Sequence, residues 1–302
     1  MTCLGCFWCY KTHNSIPPIF LCHKEHWSGT VDPIHMIDTH CHLTYQPFRN
    51  RLKEELDAAE AAGVRACISI GTNSEDSNAA RVLAESDPRL WFTAGIHPLS
   101  TDDPVDWGVL RACAAHPRCV AWGELGLDNH YEKPIASLQR TMLDAQLDRI
   151  ARWSDEGLSK PIVIHCRKAF DDLIPMLRAS GLPSDRFVFH CFTGTPDEAR
   201  KVLDFGACIS FTGVVTYRNA PEVAEAAKLV PADRIMAETD APFLSPEPMR
   251  TAKPNRPAHS IVVARHLAKI RGVDEATFLN VLDDNAVRFF SLPLEKLTPI
   301  GG

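Results

Sequence analysis

The chain of 302 residues is predicted to fold as a (β/α)₈ TIM barrel, on three observations. Eight short apolar runs alternate with amphipathic helical stretches over roughly 250 residues, the size and order of that fold. Most of the stretches between the runs have apolar residues at helical spacing. Four of the runs end at or just before a histidine or an acidic residue, where a barrel of this class carries its chemistry.

The first strand is the segment Met36-Ile37-Asp38-Thr39-His40-Cys41-His42-Leu43. Alternate residues of a strand point to the same side, so His40 and His42 can grip one metal ion. Leu52, Leu56, Ala59 and Gly63 then share a helical face. Strand-like runs follow from Ala66 to Gly71 and from Leu90 to Gly95, the latter with His97 just beyond it. Cys119-Val120-Ala121-Trp122 leads into Glu124, and Leu138, Met142, Ala145, Leu147 and Ile150 form the next apolar helical face. Pro161-Ile162-Val163-Ile164 ends at His165, and Phe187-Val188-Phe189 ends at His190. Val202 and Phe205 mark another helix, Ala207 to Thr212 the seventh strand, and Arg234-Ile235-Met236-Ala237 the eighth, shortly before Asp240. In a barrel, these strand ends share one mouth.

With 45% hydrophobic and 23% charged residues, the composition is that of a soluble globular domain. A formal net charge of −6 excludes a long-range field that holds polyanions non-specifically, so any nucleic-acid binding must be local. No internal repeat, low-complexity tract or membrane-length apolar run is present. Cys41, Cys67, Cys113, Cys119, Cys166, Cys191 and Cys208 are scattered through expected strands and helices and read as buried free thiols. Cys41, Cys166 and Cys191 are each next to a candidate ligand and are expected to point the opposite way. With no secretory signal, a reducing cytoplasm is the expected compartment.

Residues 1–35 differ from the rest. Cys3, Cys6, Cys9, Cys22, His23 and His26 have spacing that permits a zinc site, but the segment has no periodicity and Met36 stands directly before the first strand. The preferred reading is a poorly ordered extension or a start assigned too early; a metal-binding tail and a peptide packed under the barrel floor are the alternatives. The catalytic barrel is expected over 36–291, followed by a short tail at 292–302.

The candidate ligands define a chemistry. Two divalent ions roughly 3.5 to 4 Å apart can clamp the oxygens of an in-line displacement, and need one ligand that reaches both. A carboxylate can do this where an imidazole cannot, so Glu124 is the candidate bridge. His40, His42 and Asp240 are expected to hold one ion, and His165 and His190 the other. Asp240 is also a candidate proton acceptor for the attacking water. The imidazoles favour zinc or another transition metal, while shared carboxylates allow magnesium or manganese.

Thr39-His40-Cys41-His42-Leu43, Gly95-Ile96-His97-Pro98, Gly123-Glu124-Leu125-Gly126-Leu127-Asp128, Val163-Ile164-His165-Cys166-Arg167, His190-Cys191-Phe192-Thr193-Gly194 and Glu238-Thr239-Asp240-Ala241-Pro242 occur in order, and the chain closes on Asn285-Ala286-Val287-Arg288-Phe289-Phe290. Together they resemble the TatD family of metal-dependent deoxyribonucleases, a branch of the amidohydrolase superfamily, from about Met36 to Phe290. The resemblance implies a barrel hydrolase with two metals, whose ligands correspond to His40, His42, Glu124, His165, His190 and Asp240. Lys168, Asn129-His130 and Asn255-Arg256-Pro257 depart from the family's usual residues, on loops expected to face the substrate.

His97 is expected to hydrogen-bond substrate or water, or to orient neighbouring ligands. Arg167 should point to the same side as His165, and its fixed fork of donors suits phosphate; a structural salt bridge is the alternative. Arg218, Arg250, Lys253 and Arg256 fall in the loops after the seventh and eighth strands and could track a nucleic-acid backbone, with Phe192, Tyr217 or Phe243 stacking a base. The expected function is therefore a two-metal nuclease on DNA or RNA, acting on single-stranded DNA from its ends. A metal-dependent amide or ester hydrolase, or a deacylase of mischarged tRNA, is the alternative on the same barrel.

Overall fold

The computed structural model describes residues 35–293. The readings of the Cys/His-rich extension, and of the tail beyond residue 293, lie outside the described residues. Eight parallel strands follow one another round the sheet in chain order: β1 (Met36–Cys41), β2 (Val64–Ser69), β3 (Leu90–Ala94), β4 (Cys119–Asp128), β5 (Ile162–Arg167), β6 (Phe187–Phe189), β7 (Cys208–Phe211) and β8 (Ile235–Ala237). The ring closes just past β8, where Cys41 bridges Ala241 and the amide of Asp240 donates to His40 O at 2.8 Å. The expected TIM barrel is the observed fold.

Helices α1 (Leu52–Ala61), α2 (Ser74–Ser86), α3 (Trp107–Ala115), α4 (Ala136–Asp155), α5 (Phe170–Ala179), α6 (Pro196–Phe205), α7 (Pro221–Leu229), α8 (Ser260–Arg271) and α9 (Glu275–Phe290) cover the outside. Local chemistry sets several of their ends. Thr195 and Glu198 form a capping box at the start of α6, the Asn73 side chain accepts from Asp76 N at the start of α2, and Gly272 ends α8 with φ 66°. No helix among the described residues is long and apolar enough to cross a membrane.

Strand residues divide into two apolar layers. Leu90, Phe92, Ile162, Ile164, Phe187 and Phe189 pack outward against the helices. Ile37, Ile68, Trp91, Val163, Val188 and Met236 fill the barrel interior, joined by Ala286, Phe290 and Leu292 at the end of α9, which plug the floor. Four cations at that floor, Lys160, Arg186, Arg234 and Arg288, each donate to a main-chain carbonyl. Above the apolar floor the interior turns polar. Glu238 Oε2 accepts from Ser210 Oγ at 2.6 Å and from Thr39 Oγ1 at 3.3 Å, forming a layer on which the mouth is built.

β1 is not a regular strand. Its register against β2 shifts between Asp38 and Cys41, and this shift lets Ile37 face the floor while His40 and His42 face the mouth. β4 is likewise irregular between Trp122 and Leu125, around Glu124. It is also ten residues long, beyond the short run read from sequence, and carries Asp128 to the rim.

Candidate metal centre and active site

Glu124 is the hub of the mouth. It is 1% exposed, and its Oε1 lies 2.6 Å from His190 Nε2, 2.7 Å from His165 Nδ1 and 3.3 Å from His97 Nε2. Its other oxygen, Oε2, faces His40 Nε2 at 3.3 Å. Asp240 Oδ1 stands 3.2 Å from His42 Nε2 and 3.5 Å from His40 Nε2. Thus the six residues expected from sequence, with His97, converge on one point. Glu124 presents one oxygen to the His40 side and the other to the His165 and His190 side.

Tight backbone packing fixes this hub. A side chain at Gly126, where φ is 150°, would put its Cβ 1.9 Å from His165 O; one at Gly123, where φ is 122°, would put it 2.5 Å from Val163 O. Only glycine lets β4 approach β5 this closely on both sides of Glu124. Asp240 has φ 55°, a left-handed conformation. Neighbours hold it there: the buried Asp38 accepts from Thr239 N at 2.9 Å and Thr239 Oγ1 at 2.6 Å, while Asn255 Nδ2 donates to Thr239 O at 2.9 Å.

The hydrogen-bond network assigns different tasks to the imidazoles. His165 Nε2 pairs with Asp128 Oδ2 at 3.0 Å, a carboxylate that must accept, so His165 turns Nδ1 toward the centre. His97 is the reverse: its Nδ1 accepts from Leu99 N at 3.0 Å, which leaves the proton of the neutral ring on Nε2, facing the centre. On binding of a cation His165 would give up the Nδ1 proton it shares with Glu124 and offer a lone pair, whereas neutral His97 offers a donor. His190 stacks on His40 with ring centroids 3.8 Å apart, and its Nδ1 lies 3.4 Å from Glu238 Oε1.

Charge follows the same geometry. Burial pushes the Glu124 carboxyl up, but the charge of His190, the inward-facing rings of His97 and His40 and the bond from His165 outweigh it and hold it well below the usual range. Burial likewise opposes protonation of His190, yet Glu124 and Glu238 raise it well above the ordinary value. Burial and the neighbouring His190 lower His40, which keeps that ring neutral. Asp240 is held down, against its burial, by the bond and charge of His42.

A metal fits these residues. His40 is fully buried, and neither ring nitrogen has a hydrogen-bond partner; His42 Nδ1 is similarly orphaned. A buried polar atom without a partner is costly, and here the His40 Nε2 lone pair is aimed at two carboxylates that would share a cation with it. Among the described residues, donor sets close enough to hold an ion include His40 with His42 and Glu124, and His40 with His190 and Asp240; His97 is equally close to Glu124 and His165 but turns its proton inward.

The other expected positions separate. Arg167 lines the same cavity, of about 630 Å³, on the His165 side of β5; among the described residues no carboxylate is within salt-bridge distance, and its guanidinium stands 5.4 Å over the Tyr131 ring. Arg218 and Arg250 are not in that lining. Arg218 is fully exposed near Glu247, at 3.8 Å; Arg250 donates to Asn219 Oδ1 and packs 3.9 Å over Tyr217. Arg256 pairs with the buried Glu55 at 2.7 Å, and Asn255 is buried, so that segment braces the loop instead of facing substrate. Phe192 is buried against Phe170 and Phe211, which removes it as a base platform, and Tyr217 gives its hydroxyl to Ser245 O under the cover of Arg250. Among the described cysteines none forms a disulfide. Cys41 and Cys166 join the outer core as expected, although Cys166 also borders the cavity, and Cys191, with φ 45°, opens onto it.

Sequence reasoning missed Asp128, Glu238 and Tyr131. The first two had a signal: each is an even number of residues from a candidate ligand, Asp128 four after Glu124 and Glu238 two before Asp240. Also missed were Gln139 and Gln146, polar residues on the buried face of α4. Gln139 holds the main chain of Asp128, and Gln146 that of Ile96, through bonds of 2.8 to 3.0 Å.

The profile of a family described as TatD related DNase matches residues 37–291. A protein of Escherichia coli K12 named uncharacterized metal-dependent hydrolase YcfH is 35% identical over 270 residues, 88% of this chain and 99% of that one. A protein of Musicola paradisiaca named 3'-5' ssDNA/RNA exonuclease TatD is 36% identical over 264 residues, 85% of this chain and 98% of that one. The crystal structure of YJJV, a TatD homologue of Escherichia coli K12, superposes with a TM-score of 0.78 at 28% identity, over 86% of this chain and 99% of that one. With the ordered strand-end histidines and carboxylates on this barrel, these matches establish that the chain belongs to the TatD-related DNase family of metal-dependent hydrolases.

Proposed function

We propose that the chain hydrolyses phosphodiester bonds of single-stranded DNA or RNA from strand ends, with two divalent ions. The observation that carries this reading is Arg167: a guanidinium without a carboxylate partner among the described residues, lining the cavity that also holds Glu124 and Asp240. Its planar fork suits a phosphate oxygen pair. Relatives named ssDNA/RNA exonuclease support the substrate class.

His40, His42 and Asp240 would hold one ion and His165 and His190 the other, with Glu124 reaching both. Bound there, such ions would lower the pKa of water and neutralise charge on phosphate oxygens; zinc, magnesium and manganese are the candidates. The chain's own groups supply the rest. Asp240, kept ionised by His42, accepts a proton from the attacking water. His97 donates from Nε2 to a phosphate oxygen, and Arg167 orients the phosphate. Asp128 and Glu238 steer His165 and His190. The free thiols fit a reducing cytoplasm.

The test is a panel of end-labelled single-stranded DNA, RNA, duplex DNA and aminoacyl-tRNA, given to protein reconstituted with each metal. Stepwise shortening of the single strands is expected. Cleavage of the acyl ester with oligonucleotides left intact would overturn the reading.

A further inference from the structure

Among the described residues the exposed Phe, Tyr or Trp side chains are Tyr131, at 51%, and Phe243, at 50%. Both line the cavity that contains Glu124 and Asp240. Tyr131 follows β4 and Phe243 follows β8, and strands four apart in a ring of eight are on opposite walls. Glu124 and Asp240 belong to the same two walls and line the same cavity as the two rings. Edge-on neighbours brace each ring: His130 against Tyr131 at 4.8 Å, and Tyr45 and His42 against Phe243 at 6.1 and 6.2 Å.

Resting on the phosphodiester reading above, we infer that Tyr131 and Phe243 are two base platforms, one for the base on each side of the scissile phosphate. An aromatic ring left half in water at a catalytic mouth is an apolar surface that a nucleobase can cover whatever its identity. Platforms on opposite walls cannot be reached by two bases still stacked on each other, or by bases still paired. The strand must be splayed open over the ligand cluster, which places its phosphate between Glu124 and Asp240. Selection for single strands then arises at these two rings, since a duplex must first lose stacking and pairing. Arg167 over Tyr131 adds a cation beside one platform, where it can hold the phosphate and the ring together.

The experiment compares oligonucleotides that carry one tetrahydrofuran abasic residue on either side of the cleaved bond with the unmodified strand. The readout is the ratio of kcat/KM for base-bearing over abasic steps. In the unaltered protein the ratio is expected to be roughly tenfold or more at each flank, from the usual strength of base stacking on an aromatic ring. Tyr131→Ala should bring the ratio near one at one flank and Phe243→Ala at the other, while Tyr131→Phe retains it. Both rings are exposed, and melting curves check that the variants stay folded. Cleavage of single strands with ratios unchanged in the variants would overturn this inference alone. If the unaltered protein cleaves no oligonucleotide, the phosphodiester reading fails and this inference falls with it.

Discussion

Glu124→Gln keeps the shape of the hub and removes its charge. In metal-stripped protein an amide oxygen still accepts at the two short contacts, from His190 Nε2 at 2.6 Å and His165 Nδ1 at 2.7 Å, but without the negative charge. Hydrogen bonds to charged groups contribute about 1.5 to 3 kcal/mol each and neutral ones about 0.5 to 1.5 kcal/mol. The loss is therefore about 1 to 1.5 kcal/mol per contact, or about 2 to 3 kcal/mol in all. For a domain of this size about 2.5 kcal/mol corresponds to a fall of roughly 5 to 10 °C in Tm. The pH dependence has a definite sign. Glu124 is depressed below its ordinary 4.5, so its contribution is present above that value and lost as pH falls through its folded value. His190 is raised above 6.5, so its contribution is present below 6.5 and lost as pH rises through its folded value. The difference in Tm between the two proteins should therefore be largest between about 4.5 and 6.5 and shrink in alkali. The assay is thermal unfolding in chelator at pH 5.5 and through the alkaline range, with metal content measured by mass spectrometry after reconstitution. The variant should hold one ion or none and lose turnover. Two retained ions with near-normal rates, or a Tm difference independent of pH, would refute the hub assignment.

Asp240→Asn should abolish turnover while single-stranded DNA still binds; equal loss of binding and turnover would make Asp240 a scaffold and not a proton acceptor. Asp128→Ala frees the His165 ring and should weaken metal affinity about 10- to 100-fold, with partial recovery in Asp128→Asn; titration calorimetry measures both, and unchanged affinity contradicts the orienting role. Gly126→Ala cannot be accommodated without moving β4 from β5, so its metal content and thermal stability should both drop; a variant with unaltered values would show that the close approach is not required. A chain starting at Met36, where β1 begins, should keep the Tm, rate and metal content of the full chain, and an additional tightly held ion in the long form alone would speak for a zinc-binding extension.

The barrel and the cluster of histidines and carboxylates at its mouth were legible because both are local properties of strands. A parallel strand buried on both faces must be an apolar run, and its chemistry must begin where the run ends, so His165 after Ile164 and His190 after Phe189 could be read in one dimension. What each side chain then meets depends on register and on chain far away. The irregularities in β1 and β4 decide which residues face the mouth, and no periodicity announces them. Whether a histidine presents a lone pair or a proton is set by the atom behind it: Asp128 behind His165, the Leu99 amide behind His97. Arginines that looked alike in the loops were sorted by partners out of sequence range, Arg256 by Glu55 at a separation of 201 residues, while Arg167 stayed with the site. Burial of Phe192 and exposure of Tyr131 came from the same cause, since an aromatic residue carries no sign of its own solvent contact until the helices have packed. The sequence by itself determined the strand order and the chemical types at the strand ends, through short-range periodicity. Only the tertiary structure decided orientation, protonation and exposure, because those depend on groups brought together from distant parts of the chain.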